Sequence, residues 1–161
     1  MTVKLIGALF IAISSFALSS HFCSCLSREK DELGGFISLL NHIRLEISCF
    51  SKPLSQIFSE FSCPALDKSG FTETLRERGF SEGLKKNACR LNLSKEVKDI
   101  LLSFSQSLGH GYREDEIKRC DNTISCLEER YKACLDTLPE KRKLIKSLSI
   151  TFGISVIVIL I

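Results

Sequence analysis

Apolar residues recur in steps of three and four from Leu33 through Phe36, Leu40, Ile43, Ile47 and Phe50, with polar residues between them. That spacing predicts an amphipathic helix with this seam inward, ending near Phe50. Gly34-Gly35 near its start lowers helix propensity by about 1 kcal/mol per glycine, so a bend is expected there. Ser51-Lys52-Pro53 reads as a helix start, and Leu54, Ile57, Phe58 and Phe61 mark one face of a short second helix. Between 62 and 92 the pattern breaks at Pro64, Gly70, Gly79 and Gly83. Phe71 and Leu75 predict one brief helix there, and Ser81 is the expected cap of another carrying Leu84, Ala88 and Leu91.

The pattern becomes regular again further on. Ser94 is a favourable N-cap for a helix bearing Val97, Ile100, Leu101, Phe104 and Leu108, with Gly109 where a left-handed residue ends it. His110-Gly111-Tyr112 forms the turn. Ile117, Cys120, Ile124, Leu127, Tyr131, Cys134 and Leu138 then hold a strict three-four repeat, the most regular in the chain. Two long helices joined by so short a turn lie antiparallel, and Pro139 is expected to kink or break the second.

Both ends lack this amphipathic alternation. Residues 144–161, LIKSLSITFGISVIVILI, carry one charge, Lys146. At ~1.5 Å per residue they make roughly 27 Å of helix, close to a ~30 Å hydrocarbon core. The competing reading is a buried core helix. From Leu5 to Leu26 the only titratable group other than cysteine is His21. A cleaved signal peptide ending near Ala17-Leu18-Ser19 or Ser20 competes here with a retained span, but the apolar run continues through Phe22, Cys23, Cys25 and Leu26. The predicted architecture is all-α: a bundle of antiparallel helices in residues 27–143 between transmembrane helices at 3–26 and 144–161.

With 161 residues there is room for one small domain between the ends. Residues 27–143 hold all 19 acids and 20 of the 22 bases, a near-neutral balance that excludes a nucleic-acid-binding profile. Arg28 and Lys30 follow the first apolar stretch, and Lys141, Arg142, Lys143 and Lys146 mark the second. By the positive-inside rule the middle domain is cytoplasmic and the two termini lie across the membrane. In a reducing compartment Cys49, Cys63, Cys89, Cys120, Cys126 and Cys134 are expected as thiols rather than disulfides. There is no CxxC pair, and buried cysteine usually serves as a small hydrophobe.

No catalytic, cofactor-binding or metal-binding residue emerges. Gly79-Phe80-Ser81-Glu82-Gly83 lacks the pattern of a phosphate loop. His21 falls in a span, His42 beside a helix seam and His110 in a glycine turn, without the partners an acid-base site needs. Glu114, Asp115, Glu116 and Asp121 suit the positive end of a helix better than a cation site, because consecutive acids on a helix point apart.

Lys4 to Leu9, the entry Ser51-Lys52-Pro53-Leu54, and Leu101-Leu102-Ser103-Phe104 through Leu108-Gly109 with the acids Glu114-Asp115-Glu116 resemble the stage III sporulation protein AB family. Order, length and the two apolar ends carry the resemblance, which covers essentially the whole chain. It implies a helical cytoplasmic domain similar to the F-type platform protein of type II secretion. It also implies membership of a channel complex joining mother cell and forespore, with the ATPase stage III sporulation protein AA as partner. Two departures from the family pattern stand out: Glu116 where glutamine is usual, and no tryptophan near Leu84 and Ala88.

A non-enzymatic binding module in the mother-cell membrane is therefore expected, with channel subunits as partners and no cofactor, nucleic acid or small-molecule substrate. The contrasting reading is a membrane-anchored cysteine-based redox or metal-binding protein. Exposed helix faces around Arg76, Glu77, Arg78, Lys85, Lys86 and Arg90 are available for contacts. The preferred contact site is the turn of Gly109, His110, Gly111, Tyr112, Arg113, Glu114, Asp115 and Glu116, because it joins adaptable glycines to a tyrosine and an arginine.

Overall fold

The computed structural model describes the backbone of residues 2–50 and 52–160. Side chains are described at 20–50, 52–145 and 147–152, and at Ser14, Ala17 and Ser155. The elements are all helices: α1 (Thr2–Cys49), α2 (Leu54–Glu60), α3 (Pro64–Asp67), α4 (Phe71–Arg78), α5 (Phe80–Asn87), α6 (Lys95–Ser107) and α7 (Arg113–Leu160). Among the described residues there is no strand, and the protein is all-α. It divides into two units, one of Met1–Ser27 with Cys134–Ile161 and the other of Arg28–Ala133.

Inside Arg28–Ala133, α1 and α7 run antiparallel. A Cβ on Gly34 would stand 3.5 Å from the Tyr131 ring, Arg44 pairs with Asp121 at 2.5 Å, and the Arg113 guanidinium donates to the Ser48 carbonyl. As α1 advances, its partner on α7 therefore retreats. The same holds for α6 against α7, where Glu96 pairs with Arg130 at 2.8 Å and Arg119 donates to the Ser107 carbonyl at 2.7 Å.

The short helices fill one side of this frame, and the core converges on Phe80. Its ring lies 5.7 Å from Phe71, 5.8 Å from Phe104, 6.3 Å from Phe36 and 6.5 Å from Phe58. Aromatic side chains from α1, α2, α4 and α6 thus meet a single ring on α5, in the edge-on and tilted arrangements that ring quadrupoles favour. Gly79 makes this placement work. Its φ of 83° and ψ of 179° lie in a region open essentially to glycine alone, so α4 stops and α5 starts with one residue between them. Gly35 has a packing role: α1 continues through it, and a Cβ there would meet Leu66 Cγ at 3.0 Å and Cys63 Sγ at 3.1 Å.

Glu32 is 2 % exposed in this core. Its carboxylate accepts from the Asn92 backbone N–H at 2.6 Å and from the Asn92 side-chain amide at 3.4 Å, with Arg28 at 3.6 Å. It thereby ties α1 to the α5–α6 connection. Burial pushes its pKa above the ordinary value, against the lowering pull of Asn92 and Arg28.

The helix expected to end near Phe50 does so, at Cys49, but Phe50 itself is 64 % exposed instead of on the seam. Ser81, expected to cap a helix, lies inside its first turn instead: α5 starts at Phe80, with Gly79 at the cap position and no side-chain cap bond. The one-turn α3, which opens on Pro64, was not anticipated. Ser94 does cap α6, its side chain accepting from the Val97 N–H at 3.4 Å. Pro139 does not break α7, which continues to Leu160. Lacking an N–H, Pro139 leaves the Leu135 carbonyl without its usual helical donor.

In the unit of Met1–Ser27 with Cys134–Ile161, the Arg142 guanidinium donates to the Ser27 hydroxyl. Among the described residues no helix is long and apolar enough to cross a membrane. Most side chains of the stretches expected to span, 3–26 and 144–161, lie outside the described residues. Those described include Phe22, Leu144, Leu148, Ile150 and Phe152, each more than half exposed.

Candidate functional site

The turn between α6 and α7 is a rigid construction. Gly109 takes φ +86° with Leu54 packed under it, 3.1 Å from where a Cβ would stand, so any other residue is both strained and crowded. Glu116, in the first turns of α7, reaches back. Its Oε1 accepts from the Gly111 N–H at 2.9 Å and the Gly109 N–H at 3.2 Å, with Arg119 at 3.4 Å. A carboxylate near a helix N-terminus is favoured by the helix dipole, and here it also satisfies two turn amides.

Of the eight residues singled out in the sequence, Gly109 through Asp115 are exposed, and Tyr112 is 86 % exposed. Glu116 is 5 % exposed. It faces inward and braces the turn, so any effect it has on a contact is exerted through the other seven.

The bond from Arg113 to the Ser48 carbonyl brings the turn against the end of α1. There Phe50 is exposed, and so is Leu45 one turn before the end of the helix. Lys52 fixes this corner. Its Nζ stands 2.8 Å from Glu60 and 3.0 Å from Glu46 and 5.5 Å from the centre of the Phe50 ring. The hydrogen bonds to Glu60 and Glu46 hold the Lys52 pKa up, and the Lys52 bond, helped by Gln56, holds the Glu60 pKa down. Sequence reasoning singled out Tyr112 but not Phe50 as an exposed aromatic, because Phe50 continues the three-four spacing of the seam and nothing in spacing shows that it lies outside the buried face.

The other candidate chemistry is dispersed. His21 and His110 are exposed, whereas the His42 ring lies 5.8 Å from Phe61 with a buried Nε2 that has no hydrogen-bond partner among the described residues. Among the described residues no three His, Cys, Asp or Glu side chains are grouped to hold a metal. Cys120 is fully buried and its thiol is pushed up to about 11, chiefly by desolvation, which makes it a core residue rather than a nucleophile. An open groove of about 460 Å³ between α6 and α7 includes Arg119 and Cys126, but that arginine is already engaged by Ser107 and Glu116. Arg76, Glu77, Arg78, Lys85, Lys86 and Arg90 are exposed as expected, with Arg76 donating to the Phe61 carbonyl at 2.7 Å.

The arrangement is an exposed turn whose backbone is held from within by the Glu116 carboxylate. No curated protein and no solved structure matches the chain. The model for the stage III sporulation protein AB family matches residues 4–161, nearly the whole sequence, and the chain belongs to that family, whose role is in sporulation.

Proposed function

We propose that this protein is a non-enzymatic platform subunit of the channel complex between mother cell and forespore, anchored in the mother-cell membrane with Arg28–Ala133 facing the cytoplasm. In this reading it docks the ATPase stage III sporulation protein AA and other channel subunits. The observation that carries the docking role is the braced turn. Tyr112 is 86 % exposed, yet the backbone beneath it is held by the Glu116 carboxylate and by the Arg113 bond to α1. A large aromatic side chain presented on rigid backbone loses little freedom on binding, which is what a contact hot spot requires.

Anchoring is supported by the exposed stripe of Leu144, Leu148 and Phe152 on successive turns of α7. At about 25 cal/mol per Å² such surface gains by leaving water for lipid or another apolar helix. The bases Lys141, Arg142 and Lys143 just before it are exposed, as a headgroup-facing segment would be.

The test is binding between the full-length chain in detergent and the purified ATPase, followed by co-elution. Co-elution is expected, with no nucleotide hydrolysis by the chain alone. Hydrolysis abolished by a point change within this chain would overturn the reading, as would absence of binding to the ATPase.

A further inference from the structure

Resting on the membrane-anchored reading, we infer that α7 holds an anionic phospholipid where its apolar stretch begins, with the headgroup on Lys141 and an acyl chain along Leu144, Leu148 and Phe152. These four residues follow one another in steps of three, four and four on a helix that runs unbroken to Leu160, so they share one face. Lys141 is exposed, and the three apolar side chains are 61 %, 67 % and 66 % exposed. From Leu144 to Phe152 the stripe measures about 12 Å along the helix, the length of a piece of hydrocarbon chain. Ile150 is just as exposed on another side of the helix, so exposure alone does not single out a site. The cation in line with the stripe does.

The charge around the stripe selects the headgroup. In the unit of Met1–Ser27 with Cys134–Ile161 the acids are Asp136 and Glu140, and the bases are Lys4, Lys141, Arg142, Lys143 and Lys146. Both acids precede Lys141, and from Lys141 onward there are four bases and no acid. Glu140 is the nearest acid in sequence and offsets one of them, which leaves an excess of three. Among the described residues Glu140, Lys141, Arg142 and Lys143 take part in no ion pair. Arg142 is held to α1 through the Ser27 hydroxyl, which in turn donates to the Cys23 carbonyl at 2.9 Å. Both acceptors are neutral, so the guanidinium keeps its charge. An excess of bases where the exposed apolar face begins complements a headgroup of net negative charge. A zwitterionic headgroup brings its own cation to the same bases and is less favoured.

The experiment uses the full-length chain in neutral detergent containing equal amounts of phosphatidylglycerol and phosphatidylcholine, with retained lipid counted by native mass spectrometry. Phosphatidylglycerol is expected in about tenfold preference at low salt, falling as salt rises. Lys141→Gln should lower that preference about fivefold, and Lys141→Arg should keep it. Lys132→Gln, on an exposed position of α7 before the apolar stretch, should leave it unchanged. Leu148→Ser should reduce retention of both lipids. Circular dichroism checks that each variant is folded. Equal retention of the two lipids by the unaltered chain, or a loss in Lys132→Gln matching that in Lys141→Gln, overturns this inference and leaves the anchoring intact. Displacement of phosphatidylglycerol by inorganic phosphate, but not by chloride at equal ionic strength, also overturns it by making a free phosphate the ligand. Recovery of the chain in the soluble fraction of lysed cells overturns the anchoring and this inference together.

Discussion

Glu116 and Glu32 show how single buried carboxylates shape this protein, each reaching from a long helix to hold the backbone of a connection. Removing such an acceptor leaves amides unsatisfied, so Glu116→Ala should cost about 1–3 kcal/mol. Glu116→Gln keeps an oxygen for the Gly109 and Gly111 amides and should cost less than half of that. Melting curves of the two variants in detergent give the comparison. Equal losses would mean that charge, not hydrogen-bond acceptance, sets the turn. Glu32 adds a pH dependence. Its folded pKa lies above its ordinary 4.5, so the folded state holds this proton more tightly than the unfolded state. The resulting stabilisation is full below 4.5 and is lost as pH rises through the folded value. Glu32→Gln retains an acceptor for Asn92 without the buried charge. Its melting temperature relative to the unaltered chain should therefore improve from acid to neutral pH, and a flat or opposite trend would sink the assignment.

At the scale of helices, Gly34 and Gly35 make a paired test. Alanine raises helix propensity by about 1 kcal/mol at either position. At Gly34 the nearest atom to a new Cβ is a Tyr131 ring carbon at 3.5 Å, an ordinary contact, so Gly34→Ala should stabilise. At Gly35 the Cβ would meet Leu66 Cγ at 3.0 Å and Cys63 Sγ at 3.1 Å, with Leu66 fully buried and unable to yield freely, so Gly35→Ala should destabilise. Opposite signs in thermal melting are expected. On α7, Ile124→Asp or Leu127→Asp should cost several kcal/mol, since both side chains are buried. Glu128→Ala and Glu129→Ala should be tolerated. The long helices were legible because a three-four seam names its own period, and Ser94 and Gly109 announce their roles through side-chain and backbone chemistry. Phe80 was not legible as the centre of the core, because its importance lies in rings from four other helices converging on it. The single turn of α3 is too short to show a period. The site was half legible for a similar reason: residue type pointed to Tyr112, but only the fold brings the end of α1 against Arg113.

For the whole molecule the proposed anchoring raises the question of which side of a membrane would carry Arg28–Ala133, and the cysteines provide the means to ask it. Protection from a reagent is informative only at a thiol that is accessible in the folded protein. Cys49, Cys89 and Cys126 are exposed, whereas Cys120 is buried and would be protected on either side. Cys89 is the best reporter, because it is exposed and lies just beyond the end of α5, outside both apolar stretches of the sequence. A variant retaining Cys89 as its sole cysteine, with Cys120 replaced by alanine to keep the core apolar, would be expressed in intact cells. If the basic residues beside the two apolar ends mark the cytoplasmic side, a membrane-impermeant maleimide should leave Cys89 unlabelled until the cells are permeabilised, and then label it fully. Labelling before permeabilisation, with a cytoplasmic control thiol still protected, would place this unit on the other side and remove a cytoplasmic ATPase as its partner. Failure to label after permeabilisation would instead contradict the exposure of Cys89.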